Sequence, residues 1–384
     1  MNPNPDDHSH SLAPSPAHSP GLHALLFGLA VLAIAVLAAI KARDYQPKVD
    51  HDVLNGRLAH DFETQYDHDF PARNFGISLW AAIDYGLFHE AKSGVVAGND
   101  GWLYTDEEFI VDEQSDQLVT QNLARIVAVR DRLAAQQVKL VVAIVPAKAR
   151  VYPEHLRGRK PPQLHEDLYA RAEAVLKRDG IAHADLLAPL VDGKADGATF
   201  LRTDTHWTPR GAQLAAAAIA QTVRGELPAP TAPARYTTTH DAPRAHRGDL
   251  LNFLPLDPYF SWLLPATDTL TPAHTEGTAS GDLFGDSATP RIALVGTSYS
   301  ANPDWNFAGA LKQQLGEDLT NDAHDGVGPF KPMDNYLAGP DFAQAPPQLV
   351  IWEIPERYLA ISAQAAKASP TGAPQPPTNG PAGL

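Results

Sequence analysis

Three short runs that are almost free of charge give the strongest indication of the fold. They occupy residues 139–145, 291–295 and 348–355. Apolar runs of about four to eight residues are too short for a typical helix and are typical of strands buried on both faces of a parallel sheet. Longer segments with apolar residues at helical spacing lie before and between them, at residues 116–137, 164–178, 208–223 and 305–315. Strands that alternate with helices predict an α/β fold with a mostly parallel sheet.

The remaining segments give weaker local predictions. Residues 74–89 carry apolar residues at helical spacing, and residues 95–104 predict a β-hairpin with its turn at Asn99-Asp100-Gly101. A further short strand is expected at residues 181–186, and Thr208 and Pro209 predict the cap and first position of a helix. Residues 225–290 are rich in Pro, Thr, Asp and Gly, which predicts long loops or an insert.

Composition excludes several classes of function. The 384-residue chain has a formal net charge of -15 and no long basic stripe, which argues against a nucleic-acid partner. It contains no cysteine, so disulfides, thiolate nucleophiles and thiolate metal sites are excluded. Its histidines show no metal-ligand spacing, and no metal or other cofactor is expected.

An uncharged run at residues 24–40 is just long enough for a membrane-spanning helix. The run has no polar face, which disfavours a buried helix of a soluble domain, and no clear small-x-small site follows it, which disfavours a cleaved signal peptide. We therefore predict an uncleaved anchor at residues 21–43, preceded by a disordered tail at 1–20. Lys41 and Arg43 follow the run, which by the positive-inside rule favours a cytoplasmic body.

The strand at residues 291–295 leads into a candidate nucleophile. Gly296 ends the strand, the chain turns through Thr297 and Ser298, and a helix is expected to resume near Asp304 and Trp305. A serine on a strand-to-helix turn projects its hydroxyl into the crevice at the strand's carboxyl end, where helix amides can stabilise an oxyanion. The competing interpretation is an ordinary turn in which Ser298 or Ser300 caps the following helix.

A serine alcohol needs a base, and the base needs a carboxylate behind it. Asp204 and His206 lie two residues apart on the loop that precedes the helix at Pro209. Residues two apart on an extended loop project to the same side, so Asp204 is expected to reach one ring nitrogen while the other faces Ser298. The competing interpretation is a surface or capping histidine.

The stretches Thr203-Asp-Thr-His-Trp-Thr-Pro-Arg-Gly-Ala212 and Gly296-Thr-Ser-Tyr-Ser300 resemble two signature stretches of the AlgJ/AlgX family of alginate O-acetyltransferases, which are SGNH-hydrolase-like proteins of the bacterial periplasm. In that family the Asp and His precede the serine, a circularly permuted order that this chain shares. The agreement extends over about residues 74–360 through the following stretches: Gly86-Leu-Phe-His-Glu90, Gly98-Asn-Asp-Gly-Trp-Leu-Tyr104, Pro146-Ala-Lys-Ala-Arg-Val-Tyr-Pro153, Gly248-Asp-Leu250 and Ile351-Trp-Glu-Ile-Pro-Glu-Arg-Tyr358. The chain resembles the AlgJ branch more, because only a short low-complexity tail follows Tyr358 and leaves no room for the carbohydrate-binding module of AlgX.

The resemblance implies a three-layer SGNH-like acetyltransferase domain at residues 44–362, followed by a disordered tail at 363–384. It implies that Ser298 is the nucleophile, His206 the base and Asp204 its orienter. An acetyl group would pass through a serine acyl-enzyme to hydroxyls of an exopolysaccharide, with an AlgI-like membrane acyltransferase as donor. The domain would lie in the periplasm on a single inner-membrane anchor, alongside other alginate-type acetylation and secretion proteins, in contrast to the orientation that Lys41 and Arg43 favour.

Several further residues are candidates for binding. The Ser298 amide is expected in the oxyanion hole, with Asn302 as a second donor or a simple turn residue. Trp352 and Arg357 lie at and after the carboxyl end of the last strand, where they are candidates to face a sugar or a carboxylate. The competing interpretations are core packing and a surface charge. Lys148 and Arg150 are candidates for contact with a polyanion, against the alternative of a solvated loop. Tyr299 is expected either to pack or to contact a ligand. Gly248 and Asp249 are candidates to support the site.

Two alternative functions remain open from the sequence. A polysaccharide acetyl esterase would use the same triad with water as acceptor, and a non-catalytic scaffold would retain the residues without using them. The polymer is also open, because a net charge of -15 does not favour binding of polyanionic alginate unless a local basic patch exists, and cellulose remains an alternative.

Overall fold

A computed structural model of the chain describes residues 20–43, 45, 55–231, 233–277 and 289–362. The predicted tails at 1–20 and 363–384 lie outside the described residues, apart from residue 20. The chain divides into two compact units, residues 1–80 and 81–384. The predicted start of the acetyltransferase domain at residue 44 stays a prediction.

The first unit contains the apolar amino-terminal helix. Helix α1 spans Pro20–Ala42, and its segment Ala24–Ala42 is long and apolar enough to cross a membrane. Its large side chains, such as Leu25, Phe27 and Leu32, are more than half exposed, so the helix buries little of its apolar surface within the chain. This is compatible with a membrane anchor, because a core helix of a soluble protein would be covered. Helix α2 follows at Arg57–Asp69.

The other helices and the strands are short to medium in length. The helices are α3 Arg73–Ile83, α4 Ser115–Ala134, α5 Lys148–Val151, α6 Gln163–Arg178, α7 Leu187–Asp192, α8 Pro209–Glu226, α9 Ser298–Ala301, α10 Phe307–Leu315, α11 Phe330–Ala338 and α12 Pro340–Gln344. The strands are β1 Val95–Ala97, β2 Leu103–Thr105, β3 Lys139–Val145, β4 Ala182–His183, β5 Tyr236–His240, β6 Arg244–His246, β7 Asp268–Leu270, β8 Ala273–Gly277, β9 Ile292–Val295, β10 Thr320–Asn321 and β11 Leu349–Pro355. A π-helical turn at Asp84–Phe88 continues α3.

The central sheet has five strands in the order β10-β9-β11-β3-β4, and every pair is parallel. Strands β11 and β3 pair over seven residues, from Leu349 opposite Lys139 to Pro355 opposite Val145. Both strands are buried on both faces because each is an almost continuous apolar run. The predicted α/β fold with a parallel sheet is confirmed.

Helices cover both faces of this sheet. One face packs Val141, Ile292 and Ile351 against α8 and α10, and the other packs Val142, Val295 and Trp352 against α4, α6, α11 and α12. The buried residues of α8 lie on one stripe, at positions 211, 212, 215, 216, 219, 220 and 223, and most of them are Gly or Ala, which lets the helix approach the sheet closely. The result is a three-layer arrangement.

Among the local predictions, the hairpin is confirmed, and two other elements are shorter than expected. The hairpin forms, with Asp100 and Gly101 at positive φ and Val95 opposite Thr105. The strand predicted at 181–186 is reduced to Ala182–His183, and the helix predicted from 74 to 89 ends at Ile83 before the π-helical turn.

The segment at 225–290 was predicted as long loops or an insert, and its described part contains two antiparallel ladders. Strand β5 pairs with β8, and β6 pairs with β7. The prediction missed them because the strands are mostly exposed and polar, so they lack the apolar pattern on which strand prediction depends.

The chain after β9 also differs from the prediction. A helix was expected to resume near Asp304 and Trp305, but α9 begins at Ser298 itself and α10 begins only at Phe307. Thr297, rather than Ser298 or Ser300, caps α9, because its Oγ1 accepts a hydrogen bond from the Tyr299 backbone amide at 3.4 Å. Ser298 therefore has its side chain free of the capping role.

Candidate active site

The site lies where the carboxyl end of β9 meets the loop that leads into α8. Ser298 is the first residue of α9, directly after the turn through Gly296 and Thr297. The loop is anchored at its far end by Thr208, whose Oγ1 accepts from the Gly211 amide at 3.1 Å, with Pro209 at the first helical position. Trp207, within this loop, is fully buried, and its packing fixes the position of His206 directly before it.

Three side chains form a continuous hydrogen-bond chain. His206 Nε2 lies 2.7 Å from Ser298 Oγ, and His206 Nδ1 lies 2.7 Å from Asp204 Oδ1. The Asp204 carboxylate also accepts from the His206 backbone amide at 3.0 Å, which fixes the loop between them. Ser298 is 7 % exposed and His206 6 %, so the pair is nearly enclosed but touches solvent.

The second oxygen of Asp204 is held by residues that the sequence analysis missed or gave little weight. His246 Nε2 lies 2.8 Å from Asp204 Oδ2, and the Asp249 backbone amide donates to the same oxygen at 3.1 Å. Trp305 lies beside both imidazoles, with ring centroids 5.2 Å from His206 and 5.8 Å from His246. Nothing in the sequence pattern singled out His246, because it is one histidine of 16 and lies far from Asp204 along the chain.

Gly248 and Asp249 prove to adjoin the site. Asp249 Oδ1 accepts from the Thr205 backbone amide at 2.8 Å. A Cβ atom on Gly248 would stand 2.1 Å from the Thr203 carbonyl oxygen, so any larger residue would push the two loops apart. The close approach of these loops is what brings His246 and Asp249 to Asp204.

The turn that carries the serine is held by a buried carboxylate. Glu353, on β11, accepts hydrogen bonds from the Thr297 backbone amide at 2.7 Å and from the hydroxyls of Thr297 and Ser300 at 3.0 Å. A Cβ on Gly296 would stand 2.5 Å from Glu353 Oε2, so glycine is what permits this approach. The turn is therefore fixed from the neighbouring strand.

The electrostatics of the base follow from these contacts. Burial alone would raise the pKa of Asp204, but the hydrogen bonds from His206 and His246 outweigh it and hold that pKa below its ordinary value. Burial acts to lower the pKa of His206, yet the hydrogen bond and charge of Asp204 raise it above the ordinary value. Asp204 thus remains ionised and stabilises the protonated form of His206. A base that accepts a proton from serine needs this stabilisation.

Asp249 shows the opposite behaviour. Burial, together with the negative charge of Asp204, raises the pKa of Asp249 to about 6. Its Oδ2 lies 3.8 Å from His206 Nδ1 and is buried with no hydrogen-bond partner among the described residues.

Ligand atoms of Asp204, His206 and Asp249 all lie within 4.8 Å of one another, close enough to hold a metal ion. A metal at this position would have to displace the 2.7 Å hydrogen bond between His206 Nδ1 and Asp204 Oδ1. The donor set is already satisfied as a histidine–carboxylate pair, so it fits a proton-transfer site better than a metal site.

The loop of the base is supported from below by a buried lysine. Lys148 is 1 % exposed, and its Nζ donates to the backbone carbonyls of Leu103, Arg202 and Asp204 at 2.6 to 2.9 Å. Burial lowers the pKa of Lys148 to about 8, against the attraction of nearby carboxylates. Lys148 therefore holds the loop and does not meet a polyanion, which corrects that expectation.

Arg150 is occupied in the same way. It makes a bidentate ion pair with Glu356 and donates to the backbone carbonyls of His165 and Glu166. Neither of the two basic residues after β3 is exposed for binding, because both satisfy buried or half-buried acceptors.

Trp352 and Arg357 also lie inside the protein and do not face a sugar. Trp352 is fully buried, and its Nε1 donates to the Pro329 carbonyl oxygen at 3.1 Å. Arg357 is 4 % exposed and pairs with Glu107 at 2.7 Å. Trp352 is buried because helices cover both faces of β11. Arg357 lies after the strand, in the 3₁₀ turn Glu356–Leu359, and its burial there is compensated by the ion pair with Glu107.

Two other expected contacts are placed by the structure. Tyr299 is buried, with its hydroxyl donating to the Thr205 carbonyl at 2.7 Å, so it packs beneath the base and does not face a ligand. Asn302 uses its side-chain oxygen to accept from the Asp304 amide at 2.9 Å and so caps the following turn.

Comparison with known proteins agrees with this geometry. Residues 95–356 match the family model of the SGNH hydrolase-like domain of the acetyltransferase AlgX. A protein of Pseudomonas fluorescens described as "Probable alginate O-acetylase AlgJ" is 47 % identical over 91 % of this chain and 90 % of its own length.

Two solved structures are similar as well. The O-acetyltransferase domain of Pseudomonas putida AlgJ is 45 % identical with a TM-score of 0.65, covering 72 % of this chain and 100 % of that chain. Pseudomonas aeruginosa AlgX is 27 % identical with a TM-score of 0.52, covering 72 % of this chain and 67 % of that chain. With the model match over most of the chain and the extended identity to AlgJ proteins, the chain belongs to the AlgJ/AlgX family of SGNH hydrolase-like acetyltransferases.

Proposed function

We propose that this chain transfers acetyl groups to hydroxyls of alginate through an acyl-enzyme on Ser298, with His206 as base and Asp204 as its orienting carboxylate. The observation that carries the proposal is the 2.7 Å approach of His206 Nε2 to Ser298 Oγ, with Asp204 bonded to the other ring nitrogen. An imidazole so placed is within reach of the proton that it must remove.

In the first half-reaction, Ser298 Oγ attacks the carbonyl carbon of a donor acetyl ester while its proton passes to His206 Nε2. The tetrahedral intermediate collapses as the bond to the leaving alcohol breaks, and His206 returns the proton to that alcohol. Asp204 stabilises the imidazolium that forms in between. The product is an acetyl ester on Ser298.

In the second half-reaction, a sugar hydroxyl of the acceptor attacks the Ser298 ester while His206 takes the hydroxyl proton. Collapse of the second intermediate breaks the ester bond, and His206 returns the proton to Ser298 Oγ. The enzyme is regenerated, and the acetyl group resides on the polysaccharide. Tyr299 and Trp305 lie against the His206 ring, with centroids 4.7 and 5.2 Å away, and hold it in position through both half-reactions.

Negative charge on the carbonyl oxygen requires donors. We propose the Ser298 backbone amide as one of them, because it is the first amide of α9 and lies beside the nucleophilic oxygen. Asn302 remains a proposed second donor through its Nδ2, since its Oδ1 already accepts from Asp304.

The substrate, the compartment and the partner are part of the same proposal. The similar proteins carry alginate in their descriptions, which supports alginate as the acceptor polymer. We propose residues 21–43 as an uncleaved inner-membrane anchor and residues 44–362 as a periplasmic acetyltransferase domain. The anchor would hold the domain near an AlgI-like membrane acyltransferase that supplies acetyl groups, and so raise its effective concentration.

Replacement of Ser298 by alanine tests the proposal. We expect Ser298→Ala to abolish polymer acetylation, with a loss of about 10⁴-fold or more, while protein level and membrane placement stay normal. Acetyl content of the secreted polymer, measured by NMR in cells that carry only the variant, gives the result. Unchanged acetylation would instead support the scaffold function.

A second assay separates transfer from hydrolysis. The purified full chain receives an acetyl donor in the presence of mannuronate oligosaccharides, and both acetylated oligosaccharide and free acetate are measured. We expect the oligosaccharide to accumulate the label. Release of acetate alone, unaffected by the oligosaccharide, would identify the chain as an esterase.

A further inference from the structure

Two turns within residues 81–384 project large apolar side chains into solvent. The π-helical turn Asp84–Phe88 presents Leu87 and Phe88, which are 72 % and 64 % exposed. The 3₁₀ turn that begins at residue 261 presents Trp262, which is 77 % exposed, and the half-exposed Tyr259 lies just before it. These four residues are called the apolar surface patch. The Ser298 chemistry uses none of them.

The two turns that carry the patch are packed side by side. A Cβ atom on Gly86 would stand 3.9 Å from the Leu263 side chain, so the turns are in contact. Tyr85, Phe260 and Leu263 point inward and pack on a buried cluster formed by β1, β2 and the leucines between positions 250 and 256. The exposed side chains of the patch therefore stand on a packed base, with their neighbours already used to cover it.

The residue types of the patch indicate what covers it. Exposed apolar residues that lie together on a surface mark an interaction site. Trp, Tyr, Phe and Leu are the side chains that insert at the boundary between lipid headgroups and acyl chains. The flanking residues 84–92 and 257–264 contain three acidic side chains and a single lysine. A surface that binds anionic headgroups needs a cluster of Lys and Arg, so this patch suits the apolar boundary of a bilayer instead.

The same chain carries a segment that brings a bilayer within reach of the patch. Ala24–Ala42 is long and apolar enough to cross a membrane. Residues 43–86 connect this segment to the patch, and a connection of that length reaches about 60 Å even if it is helical throughout. A surface tethered in this way meets the bilayer at high effective concentration, so weak apolar contacts are enough to keep it docked.

The patch lies on the active-site side of the domain. The buried cluster beneath it includes Leu250, which directly follows Asp249, and the Asp249 backbone amide donates to Asp204. Asp204 and Ser298 belong to the hydrogen-bond chain at the carboxyl edge of the sheet. A bilayer that covers the patch would therefore face this edge of the sheet.

We propose that the apolar surface patch docks on the bilayer interface as a second membrane contact, separate from α1, and turns the carboxyl edge of the sheet toward the membrane. The inference rests on the proposed function, in which residues 21–43 are a membrane anchor, and deepens it. A donor held in the membrane would then meet the side of the domain that carries Ser298. Phe88 and Trp262 would lie among the headgroups and the first carbons of the acyl chains.

Spin labels in the full chain test the docking. The chain has no cysteine, so Leu87→Cys, Trp262→Cys and Gln136→Cys each take a nitroxide at one place only. Gln136 is exposed and precedes β3, at the opposite edge of the sheet. In nanodiscs of phosphatidylcholine with one chain each, EPR measures collisions of each label with oxygen, which concentrates in the bilayer, and with a water-soluble nickel chelate. We expect the oxygen-to-nickel ratio at positions 87 and 262 to exceed that at 136 by about fivefold or more.

Added charges test whether the patch itself makes the contact. With the label at Phe88→Cys, the pair Leu87→Asp and Trp262→Asp should lower the ratio to the value at position 136, because carboxylates oppose insertion into the bilayer. The matched control adds the same two charges at the opposite edge, as Gln136→Asp and Ala345→Asp. All four positions are exposed, so the fold should persist. We expect the control pair to leave the ratio within about twofold of its original value. Equal loss in both pairs would reject the patch as the docking surface.

A label within α1, at Leu32→Cys, keeps the docking and the anchor apart. If the Leu32 label is rich in oxygen collisions while the labels at 87 and 262 meet nickel as freely as the label at 136, the docking is refuted and the anchor stands. If the Leu32 label meets nickel freely while the patch labels are rich in oxygen collisions, the anchor is refuted and the docking stands. Patch labels shielded from both oxygen and nickel would show a protein contact, such as a second copy of the chain, and would refute the bilayer as the occupant.

Discussion

The two halves of the site are held in different ways. The turn that carries Ser298 follows directly from β9, and one buried carboxylate from the adjacent strand, Glu353, fixes it. The loop that carries Asp204 and His206 is held by side chains from several other segments: Lys148, His246, Asp249, Asp268 and Tyr299. The nucleophile is thus positioned by the sheet, whereas the base is positioned by the insert and by the buried lysine.

The difference has a chemical reason. A nucleophile needs only a fixed place, which a strand-to-helix turn provides. A base must also be held in one tautomer and stabilised in its charged form, which requires donors around the carboxylate behind it. Substitutions that disturb the support of the loop carrying Asp204 and His206 should therefore lower kcat. Substitutions that disturb the support of the turn carrying Ser298 should first lower the free energy of unfolding.

The largest effect is expected from Asp204→Asn. Asparagine keeps the size of the side chain but removes the negative charge, and its Nδ2 would face the Asp249 backbone amide, so two donors would meet. We expect kcat for transfer to fall about 10⁴-fold, since the carboxylate no longer stabilises protonated His206. Transfer kinetics with the purified chain give the result, and a loss under tenfold would contradict the assigned role of Asp204.

Glu353→Ala tests the other side of the comparison. It leaves the buried Thr297 backbone amide without its 2.7 Å acceptor and opens a cavity in place of the side chain. We expect the free energy of unfolding to fall by about 3 kcal/mol, measured by urea unfolding of the full chain in detergent. Glu353→Gln keeps one acceptor oxygen and should lose less, so equal stability of Glu353→Ala and wild type would show that the turn does not depend on this carboxylate.

His246→Ala tests whether the second histidine positions Asp204. Loss of a hydrogen bond to a charged group costs about 1.5–3 kcal/mol, which corresponds to about a 10- to 100-fold fall in kcat with little change in KM for the acceptor. His246→Gln keeps a donor and should recover part of the loss. The low-field proton resonance of the bond between His206 and Asp204 should also shift in His246→Ala.

His274 provides the control for that prediction. It forms an exposed pair with Asp241 at 2.9 Å, so His274→Ala removes a histidine–carboxylate contact away from the triad. We expect its kcat to stay within twofold of wild type. If both alanine variants behave alike, His246 has no special part in positioning Asp204.

The smallest effect concerns pH and Asp249. Its folded pKa of about 6 lies above the unfolded value of about 4, so the stability that this group contributes is complete below pH 4 and is lost as pH rises through 6. Asn at this position cannot ionise. Between pH 4 and 7, the free energy of unfolding of Asp249→Asn should therefore rise relative to wild type by about 1–3 kcal/mol.

Urea unfolding at several pH values measures this difference, and Asp167→Asn, at an exposed position of α6, is the control. A difference between Asp249→Asn and wild type that stays constant with pH would show that Asp249 ionises normally in the folded chain.

Much of the fold could be predicted from local patterns in the sequence. The runs that became β3, β9 and β11, the cap at Thr208 and the hairpin turn at Asp100 all depend on residues adjacent in the chain. The pairing of Asp204 with His206 was readable for the same reason, because two residues on one short loop share a side.

The burial of Trp352, Arg357 and Lys148 could not be predicted, because it depends on which segments of the chain cover the ends of the strands. The ladders within 225–290 were not readable either, since their polar strands pair only through contacts made elsewhere in the fold. The same ladders deliver His246 to Asp204.

Three apolar strands, the apolar amino-terminal helix and the residue types of the triad follow from the amino-acid sequence alone, because each depends on neighbours along the chain. The surroundings of Asp204 and the burial of Lys148 and Arg357 instead depend on tertiary contacts. Those properties depend on segments that lie far apart in the chain, and hydrogen bonds and charges between such segments leave no periodic pattern in the sequence.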